Sequence, residues 1–270
     1  MFCCMKAFAR LIFLVIISAL FHGAAFAQDG CRGMVTGKGG GQDIIDVANW
    51  KANVIRYDLI WSEIADTSSI AEYNAWLIGE LDRFDLILPT LASQNIEAIL
   101  TLHTPPRGFY VRNSQATHNI FREAAAQEAL ISAWQTIAVR YRDVTSVAYF
   151  DLVNEPADKL KVSSVRNWNQ LAADLVSAIR SITSSKKIMI SPTYAIPKNF
   201  SKLTPIDDPN ILYNFHFYDP IKFVHQGYQA AQKGSSIKYS YPGKKFTKKD
   251  MATKLKNALK FKKDNNVQMW

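Results

Sequence analysis

Seven short apolar runs recur along the chain, and longer amphipathic stretches separate them. The runs are rich in Val, Ile, Leu and aromatic residues, and several are apolar at consecutive positions, as in strands of a parallel sheet that is covered on both faces. They span residues 31–36, 53–59, 96–102, 147–153, 187–191, 211–217 and 267–270. The pattern predicts seven strands of a parallel sheet.

Three of the intervening stretches carry apolar residues at every third and fourth position, which is typical of a helix with one buried face. They run from Tyr73 to Gln94, from Ile120 to Arg142 and from Ser164 to Ser184. Regular alternation of strands and helices predicts an α/β fold, either an open doubly wound sheet or a closed (β/α)8 TIM barrel. The glycines of residues 37–42 lack the spacing of a dinucleotide-binding turn, so the barrel is the simpler interpretation.

The N-terminal segment has the three parts of a secretion signal. Lys6 and Arg10 precede an apolar core from Leu11 to Leu20, and residues 25–27 are the small-x-small sequence of a cleavage site. The core is shorter than the roughly 20 residues that a spanning helix needs, although an uncleaved membrane anchor is the alternative. We expect a signal peptide over residues 1–27 and a secreted or periplasmic mature protein.

The remaining residues, 28–270, show no repeat and no linker, and they are expected to form one domain. Cys3 and Cys4 would leave with the signal peptide, so Cys31 would be alone and no internal disulfide could form. Packing, not covalent bridges, must then stabilise the fold.

The net charge of +9 belongs to one late segment of the chain. Residues 28–232 carry 19 basic and 21 acidic side chains, whereas residues 233–263 carry 11 lysines. These lysines alternate with apolar residues, as on the wet face of an amphipathic helix, and a contact with an acidic surface is the alternative. Because no nucleic-acid motif accompanies them, we expect no nucleic-acid partner.

Polar side chains collect where the predicted strands end. In a parallel barrel the carboxyl ends of the strands meet at one rim, and the active site is built there. Taken singly, a strand-end histidine is more often structural, and Glu155 precedes Pro156 in a turn. Four strands nevertheless converge on this rim, which predicts a polar pocket. Its members are Arg56, His103, Asn154, Glu155, His216 and Tyr218.

The set favours one kind of chemistry. The sequence has neither a His-x-x-x-His pair for a metal nor a Gly-x-Ser-x-Gly turn for a serine nucleophile. A glutamate beside an asparagine suits glycoside hydrolysis, in which a carboxyl protonates the leaving oxygen and an amide binds the sugar 2-hydroxyl. We expect no metal and no cofactor.

Four segments stand at these strand ends in a distinctive order. They are VIRYDLIW at 54–61, LHTPP at 102–106, LVNEP at 152–156 and FHFYDP at 215–220. In this order and spacing they resemble glycoside hydrolase family 5, the cellulase-like branch of the retaining (β/α)8 hydrolases. The Asn-Glu-Pro motif is specific, the other three are individually weak, and the resemblance runs from about Gly33 to the last residue.

The resemblance implies a role for each matching residue. Glu155 is expected to be the general acid/base, and Asn154 to hold the 2-hydroxyl of the sugar in the −1 subsite. Arg56 is expected to lie under the nucleophile carboxylate and to keep it ionised.

Further residues are expected to bind substrate or to orient the nucleophile. The resemblance implies that His103 and His216 line the −1 subsite and that Tyr218 hydrogen-bonds the nucleophile. Trp61 and Tyr110 are candidates for stacking on sugar faces, and packing in the core is an equally good explanation of both.

The attacking glutamate of this family stands at the end of the seventh strand, and no such residue occurs here. Residues 265–270 resemble the opening of that strand, and Glu155 is the last glutamate in the sequence. Asp219 is a poor substitute because it precedes Pro220, and residues 207–208 have the character of a turn. We expect a barrel with about seven of its eight strands, incomplete at the C-terminus.

The sequence therefore predicts a secreted hydrolase of β-linked polysaccharide, by preference an endo-β-1,4-glucanase with a retaining mechanism in the full-length protein. A β-glucan or related polysaccharide is the expected partner of a monomeric protein that has no membrane contact after cleavage. The alternative is a noncatalytic or degenerate glycan-binding barrel that lacks the nucleophile.

Overall fold

A computed structural model of the chain describes residues 30–36, 39–61, 69–112, 115–158, 162–225 and 246–270. The expected signal peptide and the lysines of residues 233–245 lie outside the described residues. Residues Gly33–Trp270 form one compact unit, distinct from Met1–Arg32.

Seven parallel strands form the main sheet, and each lies within one of the seven predicted runs. They are β1 (Gly33–Val35), β2 (Val54–Leu59), β3 (Glu97–Leu102), β6 (Val147–Asp151), β7 (Lys187–Ile190), β8 (Ile211–Tyr213) and β9 (Gln268–Met269), and β4 (Phe109–Arg112) pairs with β5 (Gln115–His118) in a separate hairpin. The order across the sheet is β1-β2-β3-β6-β7-β8-β9. Consecutive parallel neighbours are the arrangement of a (β/α)8 barrel, so the predicted fold is confirmed.

α-Helices lie in the connections between strands of the main sheet, except that 3-10 helices at Thr193–Ala195 and Pro197–Lys202 join β7 to β8. The α-helices are α1 (Gly41–Asn49), α2 (Ile70–Asp85), α3 (Leu88–Gln94), α4 (Ala124–Tyr141), α5 (Trp168–Arg180), α6 (Ile221–Val224) and α7 (Lys248–Asn265). The single helix predicted over 73–94 is wrong, because the chain turns at Leu86 and Ile87 before Pro89 starts α3 in its first turn. Neither α1 nor the hairpin was predicted.

Side-chain caps define where three of these helices begin. Ser69 accepts a hydrogen bond from the Glu72 amide at the start of α2, and the Glu72 carboxylate accepts one from the Ser69 amide. Asn167 caps α5 and Thr247 caps α7 in the same reciprocal manner. Each cap satisfies backbone donors that a helix leaves unpaired, and it thereby sets where the preceding loop ends.

The two faces of the sheet differ in chemistry, because successive residues of a strand point to opposite sides. In β2, the buried Ile55, Tyr57 and Leu59 belong to the large core shared with the helices. On the other face, Val54 packs with one residue from each of three neighbouring strands: Ile99, Tyr149 and Met189. On this second face, the residues near the carboxyl ends of the strands are polar. The polar side chains of the strands therefore lie next to the predicted rim.

The sheet ends in β1 on one side and in β9 on the other. Gly33 allows close pairing at the first edge, since a Cβ there would lie 2.1 Å from the Val54 carbonyl oxygen. Met34 and Val35 are 46% and 60% exposed, so this edge is apolar and open to solvent. Within the described residues, no helix is long and apolar enough to cross a membrane.

Candidate active site

A buried charge cluster lies beneath the rim, centred on Arg56 of β2. Its guanidinium donates from Nη1 to Asp58 at 2.8 Å and from Nε and Nη2 to Asp151 at 3.1 and 2.8 Å. Thr101 of β3 donates to the same Asp151 oxygen at 3.1 Å. Burial opposes the charge of Arg56, but Asp151 and Asp58 outweigh it and raise the pKa of the guanidinium.

Asp58 is the carboxyl of this cluster whose ionisation is opposed by burial. It is 6% exposed, and burial raises the pKa of its carboxyl to about 6, with Asp151 adding to the rise and Arg56 opposing it. Two carboxyls therefore share one guanidinium in a nearly dry environment. When both are ionised, the cluster carries one uncompensated negative charge.

Asn154 connects the charge cluster to the turn that follows β6. Its Oδ1 accepts a hydrogen bond from Nη2 of Arg56 at 3.0 Å, and its backbone amide donates to the Leu102 carbonyl at 3.1 Å. Because Oδ1 is the bound acceptor, Nδ2 is the group that Asn154 presents as a donor. The side chain is thus oriented by Arg56.

Glu155 follows in a left-handed backbone conformation with φ of 45°. This region is unfavourable for a residue with a Cβ, and it persists only where the surroundings enforce it. Its side chain is 40% exposed, and Oε1 lies 2.5 Å from Nδ1 of His216, whose side chain is 20% exposed. The hydrogen bond from His216 lowers the pKa of Glu155, and burial opposes the change.

His103 and Tyr218 complete the same cluster from two other loops. Nδ1 of His103 is buried and makes no hydrogen bond within the described residues, and burial followed by the charge of Arg56 lowers the pKa of this ring. The Tyr218 hydroxyl lies 3.5 Å from Nδ1 of His216, and burial and the charge of Glu155 raise the pKa of Tyr218. Strand β8 ends at Tyr213, so His216 and Tyr218 belong to the loop after it.

The two aromatic candidates make contacts within the protein. Trp61 stacks on Trp76 of α2, with ring centroids 5.4 Å apart and planes inclined by 16°. Tyr110 of β4 lies under the guanidinium of Arg122, whose Cζ is 3.8 Å from the ring centroid. The structure therefore brings six of the predicted residues into one cluster and shows both aromatic rings engaged with other side chains.

Sequence reasoning missed Asp58, Thr101, Asp151 and the buried His118. The first three have a signal, since polar residues at every second position of VIRYDL, together with Thr101 and Asp151 near the ends of apolar strands, point to the same face of the sheet. The pattern does not predict the contact between Arg56 and Asp151. The two residues are 95 positions apart, and β3 lies between their strands. His118 falls in the unpredicted hairpin.

This arrangement can supply a proton and bind polyhydroxylated molecules. Glu155 is half-exposed at the rim and is flanked by imidazole, phenol and amide groups, which suit hydrogen bonds to sugar hydroxyls. In the part of the chain that the structure describes, no group of three His, Cys, Asp or Glu side chains is placed to hold a metal ion.

Comparisons with known proteins place this geometry in a family. The model of the cellulase family, glycosyl hydrolase family 5, matches residues 22–270. Endoglucanase C of Acetivibrio thermocellus is 30% identical over 207 residues, which cover 75% of this chain and 57% of that protein. Cellodextrinase A of Ruminococcus flavefaciens is 24% identical over 68% of this chain and 53% of its own length.

Solved structures share the fold. Cel5A of Thermotoga maritima, in complex with cellobiose, superposes with a TM-score of 0.67 at 18% identity over 88% of this chain and 77% of that one. The cellulose synthase subunit Z of Clostridioides difficile superposes with a TM-score of 0.65 at 18% identity, over 88% of this chain and 78% of that one. The chain spans little more than half the length of the curated relatives it matches. It belongs to the cellulase family, glycosyl hydrolase family 5.

Proposed function

We propose that the chain carries the proton-donating part of a retaining β-glycan hydrolase, with β-1,4-glucan as the preferred substrate. The observation that carries this proposal is the position of Glu155, whose half-exposed carboxyl follows Asn154 and lies beside His216 at the carboxyl ends of the strands. The similarity to an endoglucanase and to a structure that holds cellobiose supports glucan as the substrate.

Glu155 acts as general acid/base in this proposal. It protonates the leaving oxygen in the first step and takes a proton from water in the second. Asn154 donates from Nδ2 to the 2-hydroxyl of the sugar, since its Oδ1 is held by Arg56. His103, His216 and Tyr218 line the same subsite.

A retaining mechanism also needs an attacking carboxylate about 5 to 5.5 Å from the acid. Asp58 and Asp151 lie near the site in the described part of the chain, but both are buried and bind Arg56. We infer that the attacking carboxylate comes from a segment outside residues 1–270, where the family resemblance implies that it accepts a hydrogen bond from Tyr218. Residues 1–270 alone are then expected to bind the sugar and to turn it over very slowly.

Binding and turnover of cellotetraose by residues 1–270 test the proposal. Calorimetry should detect binding to the unmodified chain and to Glu155→Gln, since the substitution keeps the shape and hydrogen-bonding capacity of the side chain. Asn154→Ala should weaken binding, because it removes the donor to the 2-hydroxyl. Absence of cellotetraose binding by the folded, unmodified chain would refute the proposed site.

A noncatalytic glycan-binding protein is the second candidate function. The observation that favours it is the engagement of both buried carboxyls, Asp58 and Asp151, by Arg56. The two functions differ in the whole protein: hydrolysis of soluble cellulose that depends on Glu155 supports the enzyme, and tight binding without hydrolysis supports the binding protein.

We further propose that the protein is monomeric and is secreted or periplasmic after removal of residues 1–27. The support for secretion is the charged start, apolar core and small-residue site of this leader. Expression with the leader in a bacterial host should give a released protein whose first residue is Gln28. Recovery of the uncleaved chain in the membrane fraction would contradict this.

A further inference from the structure

The turn that carries Glu155 is bound by a residue of the β4–β5 hairpin. His118, the last residue of β5, contacts Ala157 twice: its backbone amide donates to the Ala157 carbonyl at 3.3 Å, and its ring Nδ1 accepts from the Ala157 amide at 3.0 Å. Ala157 lies two positions after Glu155. The imidazole thus binds the backbone of the acid turn directly.

His118 holds this contact as a neutral ring. It is 1% exposed, and burial, assisted by the neighbouring His103, lowers the pKa of His118 to about 3. Since a backbone amide can only donate, Nδ1 must be the unprotonated nitrogen, and Nε2 carries the proton. The lowered pKa therefore keeps Nδ1 available as an acceptor at neutral pH.

Other bonds fix the same turn on its remaining sides. The Asn154 amide donates to the Leu102 carbonyl at 3.1 Å, and the Pro156 carbonyl accepts from the Tyr194 amide at 3.0 Å. Glu155 lies between these anchors in its left-handed conformation. Among these contacts, the one from His118 is made by a side chain, so a substitution can remove it.

The hairpin is itself held firmly, which allows it to act as a support. Asn119, which directly follows β5, is fully buried, donates from its side chain to the Arg107 carbonyl at 2.8 Å and accepts from Arg122 at 2.7 Å. The ring of Phe109 packs on His118 with centroids 4.5 Å apart. The imidazole therefore has little freedom to follow the turn if the turn relaxes.

We propose that His118 is a positioning residue for the acid/base: by accepting the Ala157 amide, it enforces the left-handed turn that aims the Glu155 carboxyl at His216. The hairpin is part of the loop that follows β3, so this contact couples a substrate-side loop to the proton donor. The inference rests on the proposed function of Glu155, but the placement of its carboxyl can be measured without catalysis.

Three substitutions separate positioning from simple packing. His118→Asn places an acceptor oxygen at the position of Nδ1 and so keeps the bond to the Ala157 amide. His118→Gln places its amide group at the position of Nε2, and His118→Leu has no acceptor, so both lose that bond. The readout is the carboxyl titration of Glu155 in chain labelled with [13Cδ]glutamate, with Glu155→Gln identifying its signal among the seven glutamates. His118→Gln and His118→Leu should shift the titration upward toward that of an ordinary glutamate, whereas His118→Asn should leave it unchanged.

A core substitution away from the turn serves as the matched control. Leu171→Ala truncates a fully buried residue of α5, so it should lower the melting temperature and leave the Glu155 titration in place. If the Asn and Gln variants titrate alike, or if Leu171→Ala shifts Glu155 as much as His118→Gln does, the inference is overturned. Failure of His118→Leu to fold does not affect the comparison between Asn and Gln.

The unmodified chain provides a second measurement. The 15N shift of His118 Nδ1 should be that of an unprotonated acceptor down to the pH of acid unfolding. A protonated Nδ1 at neutral pH would overturn the inference while leaving the assignment of Glu155 as acid intact. Conversely, if the unmodified chain does not bind cellotetraose, the proposed function is refuted, but the inference that His118 positions Glu155 is not affected.

Discussion

Oε1 of Glu155 lies 2.5 Å from Nδ1 of His216, and this contact lowers the pKa of the carboxyl. A general acid works best when its pKa is close to the working pH, so the direction is opposite to what proton donation requires. A second carboxylate nearby would reverse it, because like charges disfavour ionisation of both groups. The contacts of the described residues therefore lower the pKa of Glu155, and under the proposed function a second carboxylate would have to raise it.

Replacing His216 should make stability less dependent on pH in the acid range. A carboxyl with a lowered folded-state pKa adds stability above its unfolded pKa, and this stability is lost as pH falls through the folded value. His216→Phe removes the hydrogen bond and should therefore destabilise the chain more at pH 7 than at pH 3. Urea unfolding at the two pH values measures this. Tyr218→Phe is the control, since it leaves the Glu155–His216 bond in place, and equal losses at both pH values in His216→Phe would contradict the prediction.

Asp58 should have the opposite effect on the pH profile. Its pKa is raised from 3.8 to about 6, so the stability that it contributes is complete below pH 3.8 and is lost as pH rises through about 6. Asp58→Asn should remove this loss, which amounts to at most about 3 kcal/mol because one pKa unit is worth about 1.4 kcal/mol. Urea unfolding between pH 4 and 7 measures the slope, with the exposed Asp207→Asn as control. A slope equal to that of the unmodified chain would refute the account of Asp58.

Removal of Arg56 should destabilise the fold strongly. Arg56→Met leaves Asp58 and Asp151 buried without a cation, which typically costs about 3–5 kcal/mol. Arg142→Met breaks an exposed pair with Asp143 and should cost less than about 1 kcal/mol. Denaturant unfolding at pH 7 compares them, and similar values for the two variants would show that the Arg56 cluster does not stabilise the rim.

Trp61 should couple energetically to Trp76. Stacked aromatic pairs contribute about 0.5–1.5 kcal/mol beyond the area they bury, so the double variant with both residues changed to Ala should lose less stability than the sum of the single variants. A double-mutant cycle by urea unfolding measures this, and additive losses would contradict the stack. The affinity of Trp61→Phe for cellotetraose then tests whether Trp61 also contacts the sugar. The variant keeps an aromatic ring, so a weaker affinity would indicate a contact that the larger indole ring makes.

Much of this fold could be predicted from the sequence because its strands are short, apolar and regularly spaced. The pattern of β2 and β6 also places Arg56 and Glu155 at the same rim without any knowledge of their contacts. The break between α2 and α3 was missed because apolar residues continue with helical spacing through Leu86 and Ile87.

What could not be predicted depends on contacts between distant segments. The positive φ of Glu155 results from anchors that Leu102, His118 and Tyr194 provide, and no local pattern reveals them. The neutral state of His118 likewise follows from burial in the assembled fold. Elements follow local periodicity, whereas the orientation and ionisation of the site are tertiary properties.

Glu155 is proposed to be the acid of a retaining site whose attacking carboxylate comes from outside residues 1–270. Azide supplied to this chain with phenyl β-cellobioside tests it most directly: azide nitrogen bonds to the anomeric carbon, the bond to the phenol oxygen breaks, and Glu155 gives that oxygen its proton. We predict an α-cellobiosyl azide from a single inversion, formed about 100-fold or more slowly by Glu155→Gln, since general acid catalysis contributes at least that much. Azide product that retains the β-configuration, or formation at an equal rate in Glu155→Gln, would contradict the claim.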